Sequence, residues 1–159
     1  MDASSAGPDA VQRLIDRQAI VDVIHAYCRN VDLVRPAEIA ALFTENCVVD
    51  YGPGLGAPTA GSAELERRLA TGLPRFAATS HHVSNIEVDF DDAGDAATTI
   101  TYLYAWHRYD DGRPDAHLWA RYHDRFVRTP AGWRIAERTL RVAGQQDFDV
   151  EWHPIGRAT

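Results

Sequence analysis

Residues 96–109 read AATTITYLYAWHRY, a run dominated by Thr, Tyr and other residues that favour strands. Runs of similar composition lie on either side of it, at 79–90, 115–129 and 132–145. Short stretches rich in Asp, Gly and Pro separate the runs, at 92–95, 110–114 and 129–132. Because connections this short join antiparallel neighbours, the pattern predicts a meander of four long antiparallel strands.

The chain before this meander has a helical pattern. Apolar residues recur at three- and four-residue spacing from Val11 through Leu14 and Ile15 to Cys28, which predicts one long helix with a single buried face. Two shorter helices and a short strand are predicted after it, at 36–43, 63–70 and 47–51. Ser62 suits the N-cap position of the last of these helices.

Helices followed by a strand meander indicate an α+β fold. The sheet must cover one face, and the helices are the only elements available to cover it. We therefore expect a cone-shaped α+β barrel, in which the helices pack on a curved antiparallel sheet around a pocket. The chain divides into a flexible N-terminus at 1–8, one domain at 9–146 and a C-terminal tail at 147–159. The tail is expected to fold back over the pocket mouth or a neighbouring subunit.

Composition excludes several classes of function. The 159 residues carry a net charge of −7, whereas proteins that bind nucleic acid usually present a basic face. No apolar run is long enough to span a membrane, and the first residues lack the features of an export signal, so a cytoplasmic location is expected. All 16 basic residues are Arg, which excludes a catalytic Lys. The two cysteines, Cys28 and Cys47, are expected to be reduced and buried.

Motifs for metal binding, cofactor binding and nucleophilic catalysis are missing from the sequence. It contains no HExxH or CxxC spacing, no GxSxG turn and no GxGxxG loop. His117 and His123 share one strand face but stand about 20 Å apart at the usual rise per residue. Cys28 lies on the apolar face of a helix, which does not suit a nucleophile. We expect neither a metal nor a cofactor.

Several ionisable side chains interrupt the apolar pattern. Asp32 follows the long helix, Tyr27 lies on its apolar stripe, and His107 lies near the end of the second long strand. His81 and His82 point to opposite faces of their strand, so only one of them can face the pocket. Each residue taken alone has an ordinary structural explanation, such as a helix-ending Asp or a core Tyr. Together they form an acid–base set suited to proton abstraction and elimination.

Three sequence motifs resemble those of a known protein family. They are the helix end at 26–32, the Thr79-Ser80-His81 stretch with Asn85 four residues later, and the closing hairpin at 122–135. In order and spacing they resemble the SnoaL-like, scytalone dehydratase-like group of the nuclear transport factor 2-like fold. The resemblance extends over roughly residues 11–146.

The resemblance implies a set of site residues. Asp32 and His81 match the family's Asp–His pair, with His81 as the base and Asp32 as the group that orients it. Tyr27 and Tyr51 match tyrosines that hydrogen-bond the developing enolate, and His107 matches a second polar group that would protonate the leaving hydroxyl. Four further residues are implied to contact the substrate: Arg141, Asn85, Trp106 and Arg128. Val31 departs from the family pattern, since scytalone dehydratase has a tyrosine at this position.

The expected function is therefore that of a metal- and cofactor-free lyase. It would remove water from a small apolar cyclic hydroxy-ketone by β-elimination. A polyketide cyclase or ketosteroid-type isomerase would need the same proton transfers, and a non-catalytic ligand-binding protein or dioxygenase small subunit would need none. The resemblance also implies a homo-oligomer, a trimer in preference to a dimer. Trp106, Trp119 and the residues of the last strand are the candidates for an apolar contact surface. Besides a small-molecule substrate, no nucleic acid or membrane partner is expected.

Overall fold

The computed structural model describes residues 8–156, in which helices come first and long strands follow, as predicted. The elements in chain order are α1 (Pro8–Asp32), α2 (Pro36–Ala40), β1 (Phe43–Asp50), β2 (Thr59–Ala60), α3 (Ser62–Gly72), β3 (Phe76–Phe90), β4 (Ala96–Tyr109), β5 (Ala116–Thr129) and β6 (Gly132–Gln146). Single turns of 3-10 helix precede β2 and β3, at Pro53–Leu55 and Leu73–Arg75. No helix within this range is long and apolar enough to cross a membrane. Of the predicted flexible N-terminus only Pro8 lies among the described residues, and it begins α1; residues 157–159 of the tail also lie outside them.

The sheet has the strand order β2-β1-β6-β5-β4-β3 within the described residues. The long strands pair as antiparallel hairpins, but β1 runs parallel to β6, with Val48 opposite Glu137. The sheet is therefore mixed, and the expectation of a wholly antiparallel sheet is wrong. Turn signals set the direction only of strands joined by a hairpin, and no hairpin joins β1 to β6. The two edge strands, β2 and β3, do not pair, so the sheet stays open and the helices cover its inner face. The predicted α+β class is confirmed.

Side chains alternate along the long strands between the inner face and the outer face. On β4 the odd-numbered positions from Ala97 to Tyr109 are buried, while the side chains between them are exposed or half-buried. The inner face meets α1 through the apolar residues Ile20, Ile24, Tyr27 and Val31. This alternation decides which polar residues of the meander can reach the interior.

The ends of the helices differ from the predictions. Val11, Leu14 and Ile15 are 51%, 67% and 56% exposed, because the first turns of α1 extend beyond the core. The second helix ends at Ala40 and not at Phe43, which is buried and pairs with β6 as the first residue of β1. Ser62 is the first residue of α3 and makes no capping hydrogen bond, since Gly61 occupies the N-cap.

An ion pair fastens the middle of α1 to the β5–β6 hairpin. Asp16 accepts two hydrogen bonds from Arg128, at 2.8 and 2.7 Å, and a third from Trp133 Nε1 at 3.1 Å. The hydrogen bonds from Arg128 lower the pKa of Asp16 to about 2, although its burial acts in the opposite direction. Arg128 is therefore occupied by a structural contact.

Replacing Asp16 by Asn is expected to lower the free energy of unfolding by about 1–3 kcal/mol at neutral pH, because the charged partner of Arg128 is lost. Because the pKa of Asp16 is lower in the folded protein than in the unfolded chain, its ion pair stabilises the fold fully when the pH is above the unfolded-state pKa of 3.8. This contribution disappears as the pH falls toward 2. The variant should therefore lose less stability than the parent over that range in urea titrations. Asp22→Asn, on the exposed face of the same helix, is the control. An equal acid dependence in parent and Asp16→Asn would contradict the assignment.

A second ion pair lies wholly inside the protein. The Nε and Nη2 atoms of Arg138 on β6 donate to the two carboxylate oxygens of Asp124 on β5, at 2.8 and 2.7 Å, and neither side chain is exposed. The guanidinium lies 4.0 Å from the ring centroids of both Tyr27 and Tyr122. The pair thus joins β5, β6 and α1 at a point where no water can replace a lost partner.

Removing one member of this pair should be far more damaging than removing both. Arg138→Met leaves the Asp124 carboxylate buried alone, which costs about 3–5 kcal/mol of unfolding free energy. The double variant Arg138→Met/Asp124→Leu should recover most of that loss, because no unpaired charge remains. Denaturant unfolding of the parent and the single and double variants measures the coupling. If the two changes proved additive, the pair would not be the unit described.

Candidate functional site

A cavity of about 790 Å³ lies between the inner face of the sheet, α1, α3 and the residues that follow β6. Its apolar walls include Leu65, Leu69, Leu73, Leu103, Leu118 and Leu140. Its polar lining includes Tyr27, Tyr51, His81, His107 and Tyr122, together with Glu64, Arg67, Arg68 and Arg75 on the side of α3 and the 3-10 turn after it. Such a cavity suits a largely apolar small molecule held by a few polar groups.

Asp32 and His81 form a hydrogen-bonded pair at this cavity. Asp32 is the last residue of α1, and His81 lies on β3 with its side chain only 7% exposed. The Oδ1 atom of Asp32 lies 2.7 Å from Nδ1 of His81, and Oδ2 accepts the backbone N–H of His81 at 3.0 Å. Thr79 also donates to Oδ1, at 2.8 Å. The carboxylate is thus held in one orientation by three donors from a single strand.

These hydrogen bonds lower the pKa of Asp32 and determine which ring nitrogen of His81 carries the shared proton. Burial raises the pKa of Asp32, but the hydrogen bonds from the ring and backbone of His81 and from Thr79 outweigh it, so the net shift is downward. An ionised carboxylate can only accept hydrogen bonds, so Nδ1 of His81 carries the proton. The ring lines the cavity, and in its neutral form the Nε2 atom holds a free lone pair. This geometry would allow a neutral His81 to accept a proton from a molecule in the cavity.

His107 lies beside His81 on the next strand. The two rings meet edge to face with their centroids 5.2 Å apart, and Phe76 and Phe148 pack on His107 at 4.6 and 5.0 Å. Burial, followed by the charges of His81 and Arg75, lowers the pKa of His107 to about 3. The ring is therefore neutral at pH 7. This state does not suit the predicted role of His107 as a proton donor.

Two tyrosines form the other polar side of the cavity. The hydroxyls of Tyr27 on α1 and Tyr51 after β1 are 2.7 Å apart, so one donates to the other and one O–H remains free. Burial raises the pKa of both phenols, which keeps both protonated near neutral pH. The charge of Arg138 behind the ring of Tyr27 opposes this rise and strengthens the phenol as a hydrogen-bond donor.

The five residues predicted as catalytic, Asp32, His81, His107, Tyr27 and Tyr51, therefore lie around one cavity, four of them in its lining and Asp32 bonded to His81. As predicted for adjacent strand residues, His82 points the other way and is exposed. Cys28 and Cys47 are both buried and unpaired with each other, as expected.

None of the four residues predicted to contact substrate lines this cavity. Arg141 is exposed between the buried residues Leu140 and Val142, so it belongs to the outer face. Trp106 also points outward and donates from Nε1 to Asp115 at 2.9 Å.

Asn85 and Arg128 are the other two. Asn85 is exposed at a bulge of β3, where its φ of 48° falls in the left-handed region that Asn tolerates. Arg128 binds Asp16, as described above. Resemblance between sequences located the strands correctly but not the face on which these side chains lie.

The sequence analysis did not single out Tyr122, which lines the cavity, or the buried pair Asp124 and Arg138, whose guanidinium packs against the rings of Tyr27 and Tyr122. Tyr122 and Asp124 are separated from the buried Phe126 on β5 by four and two residues, so strand alternation could have placed all three on the inner face. Arg138 lies two residues before Leu140 and so points to the same inner face, although a bulge near Ala136 interrupts the alternation between Ile135 and Arg138.

Among residues 8–156, no group of three or more His, Cys, Asp or Glu side chains could hold a metal ion.

The arrangement combines a base in a fixed tautomer, a neutral imidazole, a protonated phenol pair and apolar walls. Such a set can take a proton from carbon and stabilise the oxyanion that results.

The sequence and the fold were compared with known proteins. A crystal structure of a candidate scytalone dehydratase from Novosphingobium aromaticivorans DSM 12444 is 35% identical, covering 92% of this chain and 97% of that chain with a TM-score of 0.84. The structure of hexachlorocyclohexane dehydrochlorinase LinA-type3 from Novosphingobium barchaimii LL02 has a TM-score of 0.77 over 92% and 99% of the two chains. At 18% identity this second likeness shows the fold alone.

An uncharacterised protein of Mycobacterium tuberculosis (strain ATCC 25618 / H37Rv) is 29% identical over 132 residues, which are 81% of this chain and 86% of that protein. The SnoaL-like domain family matches residues 12–139. With its helices on a curved open sheet around a polar-lined cavity, the chain belongs to the SnoaL-like domain family and has the nuclear transport factor 2-like fold.

Proposed function

We propose that this protein is a lyase that removes water from a small apolar cyclic hydroxy-ketone. The observation that carries the proposal is the Asp32–His81 hydrogen bond at an apolar cavity, because it leaves a basic imidazole nitrogen next to a site for a ring-sized ligand. The likeness to a candidate scytalone dehydratase at 35% identity supports the reaction class.

His81 begins the reaction in this proposal. Its Nε2 atom takes a proton from the carbon α to the substrate carbonyl, or from a vinylogous position. The ring becomes an imidazolium, and the Asp32 carboxylate stabilises the new charge through the Nδ1 hydrogen bond of 2.7 Å. Thr79 and the His81 backbone hold the carboxylate in place while this charge develops.

The tyrosine pair stabilises the enolate that forms when the proton leaves. Loss of the proton places negative charge on the carbonyl oxygen, and the free O–H of the Tyr27–Tyr51 pair donates to it. Because both phenols are protonated near neutral pH, this donor is in place before the reaction begins.

His81 also completes the elimination. When the carbon–oxygen bond of the leaving hydroxyl breaks and the double bond forms, the imidazolium of His81 returns its proton to that oxygen, and water leaves. No proton is consumed overall. His107 is neutral, so it orients the leaving oxygen through a hydrogen bond and does not supply the proton. This role replaces the one implied by the family resemblance.

A pair of adjacent histidines on opposite faces tests the proposal. His81→Gln should lower the rate of water loss from a hydroxy-ketone, and of deuterium uptake from D₂O, by about 10²–10⁴-fold. His82→Gln, whose side chain is exposed on the outer face, should leave both rates unchanged. Mass spectrometry of a panel of cyclic hydroxy-ketones measures both quantities in one incubation.

The outcomes separate the competing functions. Deuterium uptake that depends on His81 but occurs without water loss would replace the dehydratase by an isomerase or cyclase. Binding of these ketones without deuterium uptake would indicate a non-catalytic ligand-binding protein.

A further inference from the structure

The residues after β6 form a cap over the cavity, defined here as residues 147–156 and called the C-terminal cap. Its Trp152 is buried, and the indole N–H donates to the backbone oxygen of Tyr51 at 2.7 Å. The backbone of Trp152 donates to Gln145 at 2.9 Å, and that of Ile155 donates to Val142 at 2.8 Å. These contacts hold the cap against both β6 and the segment that follows β1.

Two glycines pack directly against this cap. A Cβ atom on Gly52 would lie 2.6 Å from Cδ1 of Trp152, and one on Gly54 would lie 2.7 Å from the backbone oxygen of Glu151. Both distances are far shorter than atoms in contact allow. The cap therefore occupies space that exists only because these two positions carry no side chain.

Phe148 is the cap residue that reaches the acid–base groups. Its ring meets His107 edge to face at 5.0 Å and Trp152 at 5.5 Å. Phe76 packs on His107 as well, at 4.6 Å, so two phenyl rings hold the imidazole beside His81. Phe148 lines the cavity and has no polar atom of its own.

We propose that Phe148 is a positioning residue, which holds the His107 ring beside His81 and excludes water from it when the cap is seated. Its significance for turnover rests on the proposed function, in which His81 becomes an imidazolium. A protonated His107 with its centroid 5.2 Å away would oppose that charge and weaken the base. The cap thus completes the site by keeping the neighbour of the base uncharged.

The charges around His107 determine how this can be measured. Burial contributes most to its lowered pKa; His81 on β3 and Arg75 on the 3-10 turn also lower it, and Asp32 at the end of α1 raises it. The cap carries Asp149, which lies 3.6 Å from Arg75. Deleting the whole cap would remove Asp149, and the uncompensated charge of Arg75 would then lower the pKa of His107 further. A point variant at Phe148 avoids this second effect and is the better probe.

Proton NMR of the His107 ring tests the proposal without a substrate, with the signal assigned by its loss in His107→Gln. The titration is followed from about pH 3 to 8, where the parent's His107 should show only the end of its protonation step, near its pKa of about 3. Phe148→Ala should admit water and raise the pKa of His107 by at least about one unit. Phe148→Leu should restore the parent behaviour, and Glu151→Ala, an exposed cap residue, should not change it. A folded Phe148→Ala protein with an unshifted His107 would overturn the proposal.

A glycine pair provides a second test in which every residue that lines the cavity keeps its identity. Gly52 and Gly56 have φ values of 87° and 90°, but only a Cβ on Gly52 would meet the cap. Gly52→Ala should therefore raise the pKa of His107, and Gly56→Ala, with the same backbone strain, should not. Equal behaviour of the two variants would refute the proposal. Because no turnover is measured, either result is independent of whether the protein eliminates water.

Discussion

The ion pair of Arg138 and Asp124 is the constraint on which the polar half of the cavity depends. A guanidinium and a carboxylate with no exposure are tolerable only when they are paired, and here two hydrogen bonds from Nε and Nη2 of Arg138 pair them, while Nη1 has no hydrogen-bond partner. Stacking of the guanidinium on Tyr27 and Tyr122 completes its surroundings. Any displacement of β5, β6 or the last turns of α1 would expose one charge to an apolar interior.

The two polar sides of the cavity are connected through α1. Tyr27 and Asp32 lie five residues apart on this helix, and the first is stacked on Arg138 while the second is bonded to His81. A helix anchored at Asp16 and at the Arg138 cluster cannot easily shift along its axis. The distance between the phenol pair and the base is therefore set by the rigid helix and not by loops, which is the arrangement that acid–base chemistry requires.

The sequence predicted what depends on local patterns. The residue composition and the turn residues placed β4 at 96–109, as observed. The alternation of side chains along a strand predicted that only one of His81 and His82 faces inward. Matching to family motifs grouped Asp32, His81 and His107, although 49 residues separate the first two, because each lies in a short motif that can be compared by itself.

Interactions between distant segments were not predictable in the same way. The parallel pairing of β1 with β6 joins segments that no turn connects. Arg138 faces inward because a bulge shifts the register of β6, and an inserted residue reverses every later side chain. Arg128 matched a pocket residue of the family by position but is bound to Asp16, whose approach depends on how α1 crosses the sheet. Partners of this kind are decided by packing.

The proposed chemistry requires that His81 carries its proton on Nδ1 and offers Nε2 to the cavity. Nitrogen-15 NMR of the imidazole ring distinguishes a protonated from an unprotonated nitrogen and thus identifies the tautomer directly. We predict that His81 is the Nδ1–H tautomer near neutral pH, and that Asp32→Asn, which replaces the carboxylate by an amide, abolishes this preference. A His81 ring protonated on Nε2 in the parent would contradict the account, because the nitrogen facing the cavity would then be no base.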